Sequence, residues 1–248
     1  MNRREEASVL FSGGSDSTLV AALSCMKFKK VHLLTFHHSA MSFTDKSMVN
    51  VKRLEEKFGK DKIAYRLIDI EEIFQKLYYS NYLRDLRRFG AFLAPATCNV
   101  CQLAMHIQTI LYNLENNVGF ACDGYKKEKK HMYIVMAREG IELIRGLYGE
   151  YGINYDNPVY DVLRTDWELY DLGVTPRRNI KFPHEHLHYE AQHSCFHGIL
   201  TNAYLLGYYY PLHHGASSRW MDYFKEKVKL AKSYIDGYAS KNSLTSIS

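Results

Sequence analysis

The chain of 248 residues lacks several kinds of segment. No apolar run is long enough to span a bilayer, which argues against a helical membrane protein and against a membrane partner. The opening Met1-Asn2-Arg3-Arg4-Glu5-Glu6 has none of the apolar stretch of a secretory signal, so a cytoplasmic protein is expected. Neither an internal repeat nor a low-complexity linker is present. Cysteines number only five, and in a reducing compartment that count points to metal, redox chemistry or free thiols rather than a disulfide framework. Charge is nearly balanced at +5, which permits a nucleotide or nucleic-acid partner without requiring one. The apolar fraction, 46%, is sufficient for a substantial core, and the length fits one α/β domain with or without a helical appendage. Tyrosine is plentiful at 20 residues, many of them late, as in Tyr204 and Tyr208-Tyr209-Tyr210. These read first as a helical packing face with polar tips and second as a base-stacking platform.

The most informative segment is Ser12-Gly13-Gly14-Ser15-Asp16-Ser17. It follows the apolar run Ala7 to Phe11 and precedes the helical pattern Thr18 to Leu23. A strand that turns through two glycines into a helix start is a phosphate-binding device. Glycine lets the backbone approach an anion, and the first amides of a helix are unpaired and partly positive. The hydroxyls of Ser12, Ser15 and Ser17 add donors, and Asp16 can hold Mg²⁺ through water. The Gly-Lys-Ser/Thr end of a Walker A loop is missing, as is the third glycine of a dinucleotide fingerprint.

Val31 to Phe36 reads as a buried second strand and Lys62 to Ile70 as an alternating third. Between them Asp45 to Phe58 reads as a helix with Val49, Leu54 and Phe58 on its inner face. Glu71 to Leu86 and Ala96 to Glu115 read as further helices, and Gly119 to Cys122 as a fourth strand. Tyr133 to Tyr148 reads helical, Asn157 to Val162 extended, and Thr165 opens a helix that stops before Gly173. Ala203 to Tyr210 and Trp220 to Tyr238 read as terminal helices. This alternation predicts a doubly wound parallel sheet, whose ligands sit at the carboxyl ends of the strands. The Ser12 loop, Phe36-His37-His38 and Asp123-Gly124-Tyr125 all fall at such ends.

The loop resembles Ser-Gly-Gly-x-Asp-Ser of the N-type ATP pyrophosphatases, the PP-loop superfamily. Its members cleave ATP to AMP and pyrophosphate and adenylate a substrate oxygen. The likeness runs over roughly residues 7 to 180. Phe36 and His37 stand where the second strand frames adenine, and Gly124 where the fourth strand ends near the phosphates. Pro158-Val159, Arg164 and Gly173-Val174-Thr175-Pro176 follow in the order of a later family segment. The resemblance implies an adenine-nucleotide-binding α/β domain over residues 1–180, with residues 181–248, His-rich and then helical, packing on it. It also implies ATP on Ser12, Gly13, Gly14, Ser15, Asp16, Ser17 and Thr18, with Phe36, His37 and Gly124 beside it. Asp16 positions Mg²⁺, and Lys126 or Lys127 stabilises phosphate charge.

Cys98-Asn99-Val100-Cys101 is a Cys-x-x-Cys pair at a helix start, and Cys195 lies 94 positions beyond Cys101. This is similar to the RNA thiolase branch of the superfamily, whose three cysteines hold a [4Fe-4S] cluster. Three thiolates leave one iron free to present sulfur to an adenylated carbon. Zinc is the competing metal, since His184, His186, His188, His193 and His197 surround Cys195 and any one could complete a Cys₃His set. Cys25 reads as core, and Cys122 as a catalytic or a buried structural thiol. Basic groups stand at Lys126-Lys127-Glu128-Lys129-Lys130, at Arg84, Arg87 and Arg88, and at Arg177-Arg178, each explicable as a solvated face or as an anion contact. The expected function is therefore adenylation of a carbonyl oxygen followed by sulfur transfer to a nucleobase in tRNA. A sulfur-donor protein and a second copy of the chain are further partners to expect. The alternatives are a nitrogen ligase with structural zinc and a non-catalytic nucleotide sensor.

Overall fold

The structure is a computed structural model and describes residues 5–42, 44–90, 93–127, 133–177, 194–204, 207–208 and 218–244. Outside them lie His184, His186, His188, His193, His213-His214, Glu128 to Lys130 and Arg178. Much of the helix expected over Ala203 to Tyr210, including Tyr209-Tyr210, also lies outside the described residues.

β1 (Glu6–Leu10) leads into α1 (Ser15–Lys27), and β2 (Lys30–His37) follows. Six consecutive buried residues, Val31 to Phe36, make β2 a central strand covered on both faces. A two-residue strand, β3 (Met41–Ser42), and a 3₁₀ turn at Thr44–Ser47 precede α2 (Met48–Phe58). Its inner face is Asn50, Val51 and Leu54, whereas Val49, expected inside, is exposed. The 3₁₀ turn shifts the helix start from Asp45 to Met48 and resets which residues face the sheet.

β4 (Ile63–Asp69) is an edge strand of the sheet and is only partly covered, with Arg66, Leu67 and Asp69 exposed. The helix expected over Glu71 to Leu86 is two helices, α3 (Glu71–Tyr78) and α4 (Tyr82–Phe89), the latter ended by Gly90 in the left-handed region at φ 58°. α5 (Leu93–Asn116) crosses back to β5 (Phe120–Cys122). A 3₁₀ turn at Ile134–Met136, α6 (Arg138–Gly149), β6 (Asn154–Asp156) and α7 (Thr165–Asp171) follow. β6 thus lies just before the segment expected to be extended, since residues 158–161 form turns. β7 (Ser194–Cys195), α8 (Phe196–Tyr204) and α9 (Ser218–Lys241) complete the described elements.

The main sheet is five-stranded and parallel throughout, in the order β4-β2-β1-β5-β6. One apolar cluster joins the sheet to α1, α2 and α7 through Val9, Leu19, Val51 and Leu169. The other joins its opposite face to α3, α5, α6 and α9 through Phe74, Ile107, Ile144 and Phe224. This is the doubly wound arrangement expected. The chain leaves β1 in one direction to β2 and returns on the other side at β5, so the crevice for a ligand lies where β1 and β5 end. No helix among the described residues is long and apolar enough to cross a membrane.

Candidate functional site

Residues Ser12 to Ser17 occupy that crevice, between the end of β1 and α1. Gly13 has φ 80°, a left-handed conformation that a side chain would strain. Gly14 stands at the N-cap of α1 and supplies no side-chain cap, which leaves the first-turn amides available to an anion. The loop is braced from inside. Thr18 Oγ1 donates to Gly14 O at 2.7 Å and Ser17 Oγ to the same carbonyl at 3.2 Å. Gly14 N donates to Ser12 Oγ at 3.3 Å, and the Ser12 and Ser17 hydroxyls lie 3.2 Å apart. Asn50, on the buried face of α2, donates from Nδ2 to Gly13 O at 2.7 Å. Sequence reading missed Asn50, because a polar residue inside a helix pattern reads as surface until its partner is known.

Two later segments, α7 and the turn after β5, converge on the loop. Thr165, in the first turn of α7, donates from Oγ1 to Asp16 Oδ1 at 2.6 Å. Its hydroxyl ties α7 to the loop carboxylate. Lys126 Nζ lies 3.6 Å from the same Asp16 oxygen and donates to Leu163 O at 3.2 Å. Lys127 is exposed, and its amide donates to Tyr160 O at 2.9 Å. Of the two lysines considered for phosphate work, Lys126 is thus the one whose ammonium faces the loop carboxylate. Gly124 packs directly against α1: a Cβ there would fall 2.8 Å from Ser17 N.

At the end of β2, Phe36 is buried in the core while His37 is half-buried, its Nε2 3.8 Å from Asp69 Oδ2. Cys122 is buried against α1, and burial pushes its thiol up to about 12. A thiol so held carries almost no thiolate near neutrality. Cys25 is fully buried in the same cluster.

Cys98 and Cys101 lie on successive turns of α5, both buried. Cys195 reaches them because β7 pairs antiparallel with β3, Met41 opposite Cys195, and Phe196 N donates to Ala40 O at 2.9 Å. Burial pushes the Cys98 thiol up to about 11 and holds the Cys101 thiol well above its ordinary value, and negative charge at Cys195 would raise both. Cys98 and Cys101 thus lie within electrostatic reach of Cys195. Cys98 Sγ also lies 3.1 Å from Thr201 Oγ1 on α8. Beside them the rings of His38 and His197 stack at 5.6 Å, and His197 Nδ1 is buried with no hydrogen-bond partner among the described residues. Two buried thiols with a half-buried third within electrostatic reach suit an iron–sulfur cluster or zinc by chemistry. Their spacing is not that of a closed ligand set: among the described residues no three of His, Cys, Asp and Glu are gathered at metal-binding distance.

A family profile described as "Queuosine biosynthesis protein QueC" matches residues 6–85, which span the loop, α2 and β4. No curated protein matches the chain. Among solved structures, a 4-thiouridine synthetase in complex with RNA and bound ATP superposes with a TM-score of 0.56 at 11% identity. That overlap covers 93% of this chain and 53% of the other, so the chain spans about half the length of that protein. The U34-tRNA thiolase NcsA from Methanococcus maripaludis, solved with its [4Fe-4S] cluster, gives 0.46 at 12% identity over 94% of this chain and 73% of its own. An NMN synthetase from Francisella tularensis gives 0.43 at 13% over 92% and 85%. At such identity the first of these speaks to the fold, and the two looser overlaps add nothing to it.

Proposed function

We propose that this chain, which belongs by fold and loop to the N-type ATP pyrophosphatase superfamily, is an ATP-dependent RNA-modifying enzyme that activates a nucleobase carbonyl for sulfur transfer. The observation that carries the ATP reading is the phosphate loop at the switch point of the sheet. There an uncapped helix start, Gly13 and Gly14 meet the ammonium of Lys126. Residues 1–180 would form the nucleotide-binding unit, with the remainder packed on it.

In this reading the amides and hydroxyls of Ser12 to Thr18 hold the pyrophosphate of ATP, and Asp16, fixed by Thr165, orients Mg²⁺. His37 and the strand end at Phe36 border the adenine. The substrate carbonyl oxygen forms a bond to the α-phosphorus as the bond to pyrophosphate breaks, and Lys126 offsets charge on the leaving group. A sulfur nucleophile then displaces AMP from the activated carbon. Alignment of the two substrates supplies much of the acceleration. Cys98, Cys101 and Cys195 would hold a [4Fe-4S] cluster, which when bound supplies a coordination site for sulfur. RNA as acceptor agrees with the RNA complex of the 4-thiouridine synthetase that shares the fold, and a sulfur-donor protein would complete the cycle.

A second reading is favoured by one observation. His197 Nδ1, buried without a partner among the described residues and two positions from Cys195, would complete a Cys₃His zinc set and close the site. The chain would then be a nitrogen-transferring ligase with structural zinc. Pyrophosphate–ATP exchange in the presence of bulk tRNA, together with iron, sulfide and zinc analysis of anaerobically purified protein, tests both. Exchange with iron and acid-labile sulfide present is the expected result. Stoichiometric zinc without iron would transfer support to the ligase, and no exchange with any RNA would leave a nucleotide-binding protein.

A further inference from the structure

Asp123, the residue after β5, is 1% exposed, and among the described residues it has no cation beside it apart from a histidine. A carboxyl in such a place is costly, and an apolar residue of similar size would serve stability better. Its surroundings consist of donors aimed at it. Tyr155 Oη donates to Oδ2 and Asn157 Nδ2 to Oδ1, and Tyr125 N donates to Oδ1 at 3.0 Å. His106 Nε2 stands 3.7 Å from Oδ2 and 3.0 Å from the Tyr125 hydroxyl, while its Nδ1 stands 3.1 Å from the Tyr148 hydroxyl. Tyr125 is thereby clamped at both ends, its amide by Asp123 and its hydroxyl by His106. The two residues that flank Tyr125 are Gly124, pressed on the Ser17 amide, and Lys126, facing Asp16.

We propose that Asp123 is a positioning residue for the phosphate loop: it touches no nucleotide, but by folding the turn after β5 it sets Gly124 against Ser17 and aims Lys126 at the phosphates. The proposal rests on the ATP reading for its functional readout. Its physical content is that the converging groups need oxygens at Asp123: Asn157 Nδ2 and Tyr125 N can only donate to Oδ1, while the Tyr155 hydroxyl can donate to a carboxylate or accept from a protonated Oδ2. In Asp123→Asn the side chain carries two N–H donors where the acid carries at most one, and the extra N–H finds no acceptor at hydrogen-bond distance among the described residues and swings the turn.

A double-mutant cycle on ATP affinity, measured by calorimetry on the full chain, distinguishes positioning from general stability. Asp123→Asn is expected to weaken ATP binding about 10-fold in the parent and clearly less in a Lys126→Met background, because the part of its effect that passes through that lysine is gone there while the part that passes through Gly124 remains. Tyr155→Phe, which removes one donor and keeps the ring, should show the same dependence on Lys126 with a smaller loss. It decides the matter if Asp123→Asn does not fold. Equal losses in both backgrounds, or none, would overturn the proposal. Hydrogen exchange in nucleotide-free protein gives a readout independent of ATP. Amides of residues 12–18 and 124–127 should exchange faster in Asp123→Asn while those of β2 stay unchanged. If the parent binds no ATP, the nucleotide reading fails and the exchange result alone judges Asp123: an unchanged pattern in both segments overturns its role.

Discussion

At Gly124 the space available is smaller than a methyl group. A Cβ would lie 2.8 Å from Ser17 N and 3.0 Å from the Asp16 carbonyl carbon, and both contacts are backbone, so no side chain can swing aside. Gly124→Ala should cost about 1–3 kcal/mol in a denaturant titration and weaken ATP binding by at least about 10-fold, since the loop itself must shift. Gly146→Ala is the matched control. Gly146 lies within α6, and a methyl group there would meet nothing within 4 Å, so the change should stabilise by about 0.5–1 kcal/mol through helix propensity alone. A similar loss in both variants would show that the Ser17 contact is unimportant. Thr165 poses a subtler case. Thr165→Val keeps the shape and removes the hydroxyl that donates to Asp16 at 2.6 Å. A hydrogen bond to a part-exposed carboxylate contributes about 1 kcal/mol to the fold, so the melting temperature should fall by a few degrees and ATP·Mg²⁺ affinity about 10-fold. Unaltered affinity would mean that Asp16 needs no support from α7.

Between elements, a buried ion pair binds α4 to α9. Lys227 Nζ lies 2.6 Å from Asp85 Oδ2, and both side chains are buried; the ammonium also donates to Leu77 O at the end of α3. Removing one member strands the other charge, so Lys227→Met should cost about 3–5 kcal/mol, and adding Asp85→Leu should restore much of it. A double variant no more stable than the single would show that α4 depends on the ion pair itself. This pair also shows where the sequence was opaque. Nothing in the sequence marks Asp85 and Lys227 as buried, because a charged residue looks solvated until its distant partner is known. The break between α3 and α4 at Tyr79 to Asn81 contains neither proline nor glycine, and tertiary packing rather than local propensity sets it. β6 was hidden for another reason: only Tyr155 of its three residues is buried, too little for an alternation to register. What was legible was local and strongly patterned. The buried run of β2, the glycine pair before α1 and the order of strands and helices are all written within short windows. The glycine loop was therefore visible, as was the strand end at Asp123, whereas the bonds by which Asn50 and Thr165 brace the loop, and the burial of the Asp123 carboxyl, became visible only when the chain was folded.

For the whole molecule, the buried Asp123–His106 pair predicts an unusual dependence of stability on pH. Burial raises the Asp123 carboxyl from 3.8 to about 7, against the opposing pull of its donors Tyr155, Tyr125 N and Asn157, while Asp156 adds to the rise. Burial lowers His106 on α5 from 6.5 to about 3. The other titratable groups facing them, Tyr125, Tyr148 on α6 and Tyr155 on β6, are held in the neutral form by burial, as is Cys122. For Asp123 the folded state binds its proton more tightly than the unfolded chain, so its contribution is full below about pH 4 and is lost as pH rises through about 7. For His106 the sign is opposite: its contribution is full above about pH 6.5 and is lost as pH falls toward about 3. Between these limits the folded pair holds one proton, and so does the unfolded pair over most of the same range, so the two slopes cancel. Removing either partner exposes the other. Relative to the parent, Asp123→Asn should become more stable with rising pH by roughly 1.4 kcal/mol per pH unit between about pH 4 and 6.5, and His106→Gln should become less stable at the same rate. Urea titrations at half-unit pH intervals measure both. Variant profiles that run parallel to the parent across this window would show that the pair does not share a proton in the fold.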